Sequence, residues 1–300
     1  MTTPQIIATK GQTQLLERIA ATRRFMAKIG SNKIACTEKN IVHHNWVRKF
    51  ISNLNTLDRE FSLTSSGAIA LERVLGNRPA PKTTAEKQAY AAFGQIKLMG
   101  LYQQASIPHG IAPAQVLVTK KSLSTTDGFA NIQGTMKTIR ALGGMVVANE
   151  NDTVATEEIR FGDNDTLSAF AAAADGADTL ILITDVDGFY TSNPKKNTDA
   201  KHLPIIEHVD TNIILAATGP IGDHSRGGME TKLEAARIAA GYGIDTFIID
   251  GTSPDCITDF FNGKTKCSLI KSTAFGEYLG DERKLIEIVM ANAQKTMIPS

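Results

Sequence analysis

Apolar positions along this 300-residue chain alternate between two spacings. Leu15, Leu16 and Ile19 recur at helical intervals, which predicts a short leading helix within residues 1–21. Phe25 to Ile29 reads as a short strand stopping at Gly30. Positions 42, 46, 47, 50, 51 and 54 form a helical stripe across 40–56. Phe61 to Thr64 is a weak strand that ends in the turn Ser65-Ser66-Gly67. Pro79 and Pro81 mark a loop, and Thr83-x-x-Glu86 is a capping box opening a long helix to about Ala105. The pattern then becomes regular. Strands are predicted at Ile111–Val118, Met145–Ala148, Thr179–Thr184 and Thr246–Ile249, with helices over 125–142, 167–174 and 229–241. A tail helix is expected near 281–292. This alternation predicts an α/β fold with a mainly parallel, helix-covered sheet. Thr179–Thr184 has no polar alternation, as expected of a strand buried on both faces.

Composition leaves that picture intact and narrows the partners. Hydrophobic residues make up 42%, charged residues 21%, and the net charge is +1, so neither nucleic acid nor a membrane surface is an expected partner. No apolar run reaches the ~18 residues a spanning helix needs. Met1 to Lys10 lacks the apolar segment of a secretory signal. Cys36, Cys256 and Cys267 form no CxxC pair, so a disulfide framework and structural zinc are disfavoured. A reducing, cytoplasmic setting is expected.

Candidate chemistry gathers where strands should end, the usual ligand side of an open α/β sheet. Gly30, Gly67, Asn149, Asp185 and Gly188 all follow predicted strands. Residues 160–169 read Arg-Phe-Gly-Asp-Asn-Asp-Thr-Leu-Ser-Ala, and Asp165 or Thr166 is expected to cap the helix that follows. Lys28 beside Gly30 suits a phosphate, although taken alone it reads first as a solvated surface lysine. Lys232 sits one turn into a helix preceded by Gly227-Gly228, a natural anion site. No Walker A motif or protein-kinase glycine loop is present.

Asn149-Glu150-Asn151-Asp152 is either a polar turn or a rim that reads an α-ammonium group. Asp152 suits that cation, and the Asn164 amide a carbonyl or carboxylate. Phe189 and Tyr190, after Asp187-Gly188, offer flat surface for a base. The EF-hand spacing is absent, the six histidines form no i, i+4 pair, and Ser65-Ser66 is not a G-x-S-x-G elbow. No dedicated protein metal site is predicted.

Five segments carry a resemblance: Ser66-Gly67-Ala68-Ile69-Ala70, Asn149-Glu150-Asn151-Asp152, Gly162-Asp163-Asn164-Asp165 with Leu167-Ser168-Ala169, Thr184-Asp185-x-x-Gly188-x-Tyr190-Thr191, and Gly227-Gly228-Met229-x-Thr231-Lys232. In order and spacing they resemble the amino acid kinase family, and within it the members that phosphorylate glutamate for proline biosynthesis. The resemblance covers roughly residues 24–270. It implies a three-layer α/β/α sandwich around a mainly parallel sheet. The kinase domain would span 22–270, between an N-terminal extension (1–21) and a tail (271–300) with no PUA domain.

The implied reaction moves the γ-phosphoryl group of ATP to the side-chain carboxylate of L-glutamate, giving γ-glutamyl phosphate. By resemblance Lys28 and Lys232 flank the migrating group and Asp165 orients both. Ser66, Gly67, Asn149, Asp152 and Asn164 hold glutamate. Gly30, Thr184, Asp185, Arg226, Gly227, Gly228, Met229, Thr231 and Lys232 hold ATP. Mg2+ would be carried mostly by ATP phosphates and water. A carboxylate acceptor is already ionised at neutral pH, so no general base is required and Asp165 reads as an organiser. Proline as feedback inhibitor and a homodimer or homotetramer are also implied. Gly30-Ser31-Asn32 and Arg226 depart from the usual family pattern. The alternatives are another acceptor in the same fold (N-acetylglutamate, aspartate, carbamate or a nucleoside monophosphate) and a non-catalytic amino-acid sensor.

Overall fold

Successive side chains on a strand face opposite ways, and here that sorts the apolar residues into two cores. The structure, a computed structural model, describes residues 10–155, 164–218 and 228–276. Eight strands form one sheet: β1 Arg24–Ile29, β2 Glu60–Ser65, β3 Ala112–Val118, β4 Gly144–Glu150, β5 Thr179–Thr184, β6 Ile205–Ile206, β7 Asp245–Asp250 and β8 Cys267–Ile270. Their order is β6-β8-β7-β5-β1-β2-β4-β3, and every described pair is parallel except β7 with β8. The longer helices are α1 Lys10–Ala21, α2 His44–Leu54, α3 Ala68–Leu75, α4 Thr84–Ser106, α5 Thr126–Ala141, α6 Asn164–Asp175, α7 Thr211–Thr218, α8 Met229–Gly241 and α9 Cys256–Phe261.

On one face Met26, Val146, Leu180, Leu182 and Ile248 pack with residues of α5, α6, α7 and α8. On the other, Phe25, Ala27, Leu63, Ile181, Ile183 and Phe247 pack with α1, α2, α3, α4 and α9. This is the expected three-layer α/β/α sandwich. Each fully buried Phe or Leu contributes about 1.5–3 kcal/mol, and the central strands β1 and β5 are covered on both faces. Lys28 shares the face of Met26, two residues back, and therefore points toward α6 and α8. Two small hairpins decorate the strand ends: Ala35–Cys36 with Ile41–Val42, and Phe189–Tyr190 with His202–Leu203.

The predicted strands and helices within the described residues are present, with several corrections. Asn149 and Glu150 lie inside β4, not beyond it, because the ladder to β3 continues through Leu117↔Asn149 and Val118↔Glu150. Neither Asp165 nor Thr166 caps α6. That helix starts at Asn164, so both lie in its first turn, and the Asp165 carboxylate is drawn to lysines instead. Phe189 offers no surface to a base, because its ring is fully buried in the core. Helices α3, α7 and α9 and strands β6 and β8 carry too few periodic residues to be expected from the sequence. The helix expected near 281–292 lies outside the described residues.

The Thr83 capping box is present: its hydroxyl accepts from the Glu86 N–H at 3.1 Å, and Glu86 accepts from the Thr83 N–H at 3.0 Å. Thr83→Ala is expected to cost about 1 kcal/mol, read as a lower urea midpoint. An unchanged midpoint would mean that packing alone holds the start of α4.

Candidate active site

Four strand ends and two helix starts meet at one point above the sheet. β1 ends in Lys28 and Gly30, β2 in Ser65-Ser66-Gly67, β4 in Asn149-Glu150, and β5 in Thr184-Asp185. Asn164 and Asp165 open α6, and Gly228 to Lys232 open α8. Gly67 turns the chain with φ 114°, and a Cβ there would stand 2.9 Å from the Ile34 Cβ, so only glycine fits.

Asp165 is the centre of this point. It is 2% exposed, with Oδ1 2.6 Å from Lys28 Nζ and Oδ2 3.0 Å from Lys232 Nζ. The Thr231 hydroxyl donates to Oδ2 at 2.9 Å, and Lys232 Nζ also donates to the Gly228 carbonyl at 2.8 Å. Burial alone pushes the Asp165 carboxyl up. The two neighbouring ammonium groups outweigh that and hold it below the ordinary carboxylate range.

The triad stands between two clefts. One, about 840 Å³, is lined by Lys28, Gly30, Ser66, Asn149, Asp152 and Asn164, and walled by the Ala35–Val42 hairpin. The other, about 800 Å³, is lined by Asp185, Tyr190, Lys195, Gly228, Met229 and Lys232. Thr184 lines both. Lys28 thus faces one cleft and Lys232 the other, with Asp165 bridging them. In the second cleft Lys195 donates to Asp185 at 2.8 Å, and this hydrogen bond holds the Asp185 carboxyl below its ordinary value.

Polar side chains organise the first cleft. Asn164 Nδ2 donates to Ser66 Oγ at 2.7 Å and to Asn149 Oδ1 at 2.9 Å. Asn149 Nδ2 donates to Gln95 Oε1 at 2.9 Å. Tyr102, its hydroxyl pushed up in pKa by complete burial and so kept protonated, donates to Ser65 Oγ at 2.7 Å.

A model of the amino acid kinase family matches residues 23–250. The chain belongs to the amino acid kinase family. It is 41% identical over 239 residues to a glutamate 5-kinase of Paracoccus denitrificans, covering 78% of this chain and 64% of the relative. To a glutamate 5-kinase of Caulobacter vibrioides it is 39% identical over 260 residues, covering 85% of this chain and 69% of the other. The chain thus spans about two thirds of these relatives' length. A crystal structure of T. acidophilum isopentenyl phosphate kinase superposes with a TM-score of 0.57 at 19% identity, covering 83% of this chain and 100% of that one, which shows the shared fold.

Against that family fold, the anticipated residues divide between the two clefts. Lys28, Gly30, Ser66, Gly67, Asn149, Asp152 and Asn164 line the first, and Asp185, Gly228, Met229 and Lys232 the second. Thr231 turns to Asp165 and is not among the residues lining either cleft. Asp163, Arg226 and Gly227 lie outside the described residues. Sequence reasoning missed Lys195, Lys196 and Asn212 in the second cleft, and Arg73, Glu38 and Lys39 in the first. The Pro194-Lys195-Lys196 step of charge in a polar loop was the only local signal. The Asn164 amide was expected to serve a carbonyl or carboxylate; both its N–H groups are instead spent on Ser66 and Asn149, and its oxygen is what remains for a ligand.

Removing the bridging carboxylate leaves two ammonium groups facing each other out of water. Asp165→Asn is expected to lower stability at neutral pH by about 3–5 kcal/mol. The folded-state pKa of Asp165 lies below its unfolded value. Its contribution is therefore complete above about pH 4 and is lost as pH falls through the folded value. Urea titrations of both proteins are expected to converge on acidification. A gap that stays constant down to strongly acidic pH would remove Asp165 from this role.

Proposed function

We propose that this chain transfers the γ-phosphoryl group of ATP to the side-chain carboxylate of L-glutamate. The observation that carries the reading is Asp165 bridging Lys28 and Lys232 where the two clefts meet at Thr184. A phosphoryl group in flight between two oxygens needs positive charge on its flanks and in-line positioning, and little covalent help. Lys28 lies on the acceptor side and Lys232 on the donor side.

A glutamate carboxylate oxygen attacks the γ-phosphorus, the bond to the bridging β,γ-oxygen breaks, and ADP leaves with that electron pair. No proton moves, because the acceptor is already an anion. In the acceptor cleft, Asp152 and the Asn164 oxygen suit the α-ammonium, and the Ser66 hydroxyl can donate to a carboxylate. In the donor cleft, Tyr190 and Met229 offer apolar surface for the base, and Lys195 and Lys232 offer charge to the phosphates.

The donor set fits an ion carried by the nucleotide. Among the described residues no three His, Cys, Asp or Glu side chains gather as a metal cage. Mg2+ would be held by ATP phosphates and water, and would supply further charge neutralisation. Proline matches the amino-acid end of the acceptor cleft but lacks a side-chain carboxylate, so it is proposed to compete with glutamate. We place the enzyme in the cytoplasm, where its three free thiols stay reduced. We also propose a homodimer or homotetramer, which would cover the exposed Phe93 and Ile96 of α4.

The test is ATP-dependent formation of a hydroxylamine-trapped acyl phosphate from glutamate. Glutamate binding by calorimetry without turnover would point to a sensor instead. Lys232→Ala is expected to lower kcat at least about 100-fold, and a near-normal kcat would deny Lys232 a transition-state contact. Asp152→Ala is expected to raise the KM for glutamate with little change in kcat. A shift confined to the KM of ATP would mean that the two clefts have been assigned the wrong way round.

A further inference from the structure

Helix α4 carries Gln95, which does not line the acceptor cleft yet grips a residue that does. The chain of contacts runs outward from a fixed donor. The Glu150 backbone N–H can only donate, and it donates to Asn149 Oδ1 at 2.9 Å. The Asn149 nitrogen must therefore face the other way, where it donates to Gln95 Oε1 at 2.9 Å. Asn149 is 2% exposed, so no water could replace that acceptor cheaply. Held at both ends, Asn149 presents Oδ1 to one N–H of Asn164, and Ser66 Oγ takes the other. An amide has two N–H bonds and one acceptor oxygen. Both donors of Asn164 are consumed, and the ligand meets only its oxygen. Ser66, having accepted, keeps its own hydrogen to give.

The Gln95 nitrogen is buried with no hydrogen-bond partner among the described residues, so the side chain is not held in place by that end. Its oxygen is the end in use. We propose that Gln95 is a positioning residue for amino-acid recognition: it locks the relay Gln95–Asn149–Asn164–Ser66 so that an acceptor faces the α-ammonium and a donor faces a carboxylate. This rests on the reading of the first cleft as the amino-acid site. Without the Gln95 oxygen, Asn149 has a buried N–H2 to satisfy and rotates to find a partner. Asn164 is then free to turn an N–H toward the substrate ammonium, donor against donor. The loss should fall on substrates that carry the amino group.

The experiment uses the full chain with Gln95→Met, which keeps shape and removes the acceptor, and Gln95→Glu, which keeps the acceptor and removes the unsatisfied donor. Gln95→Met is expected to raise the KM for glutamate about 10-fold, with kcat within about threefold and the KM of ATP unchanged. Its preference for glutamate over glutarate, which lacks the amino group, should fall by a similar factor. Gln95→Glu should restore both. In 15N spectra of the ligand-free protein, the side-chain N–H2 pairs of Asn149 and Asn164, assigned by Asn149→Asp and Asn164→Asp, should exchange slowly in the wild type and in Gln95→Glu and rapidly in Gln95→Met. Equal weakening of glutamate and glutarate, or unchanged amide exchange, would overturn the proposal. If the wild type does not phosphorylate glutamate, the functional reading fails by itself, while the amide spectra still decide the relay. Should Gln95→Met not fold, Gln95→Asn withdraws the acceptor by one methylene and is read in the same way.

Discussion

One carboxylate buried against two ammonium groups is the constraint on which the rest of the molecule depends. Asp165 cannot sit at 2% exposure without partners, and Lys28 and Lys232 cannot enter the interior without it. Each partner is delivered by a different part of the fold: Lys28 by a central strand, Asp165 by the first turn of α6, Lys232 by the first turn of α8. The register of β1 between β2 and β5 sets where Lys28 emerges, and a slip of one residue would send it to the opposite core. The triad also carries one positive charge more than it cancels. A site with that surplus is ready for an anion before any arrives, which is the preorganisation phosphoryl transfer needs.

The two clefts extend this logic. Neither is unusual as a concavity, and each collects polar groups that would be costly to bury idle. What makes them a pair is that Thr184 belongs to both and that the triad's two cations are divided between them. The proposed chemistry follows from the adjacency: two clefts on either side of one point of surplus positive charge.

Much of this was legible in the residues. Thr179–Thr184 reads as a doubly buried strand because nothing polar interrupts it, and the Thr83–Glu86 box names the start of α4 to the residue. Lys28, Asp165 and Lys232 were nameable through the motifs around them. Other features were not legible, for physical reasons. Asn149 and Glu150 look like a loop because their side chains are polar, but strand pairing is a backbone matter, and β3 supplies the partners. Phe189 looks like a platform because the residues around it are polar, but its ring falls on the buried side of a two-residue strand. Gln95 is invisible in sequence, since a glutamine within a long helix has the signature of a solvated face. Only tertiary contact gives its oxygen a task.

The Ala35–Val42 hairpin walls the first cleft but contributes no lining residue to the second. Its residues Cys36, Thr37, Glu38 and Lys39 line that cleft alone, and none of them pairs with Lys28, Asp165 or Lys232 in the hydrogen bonds and ion pairs described above. On the proposed reading, this separates what is phosphorylated from how phosphorylation is done. A redrawn hairpin would then change the acceptor while the proposed engine beneath it stayed the same.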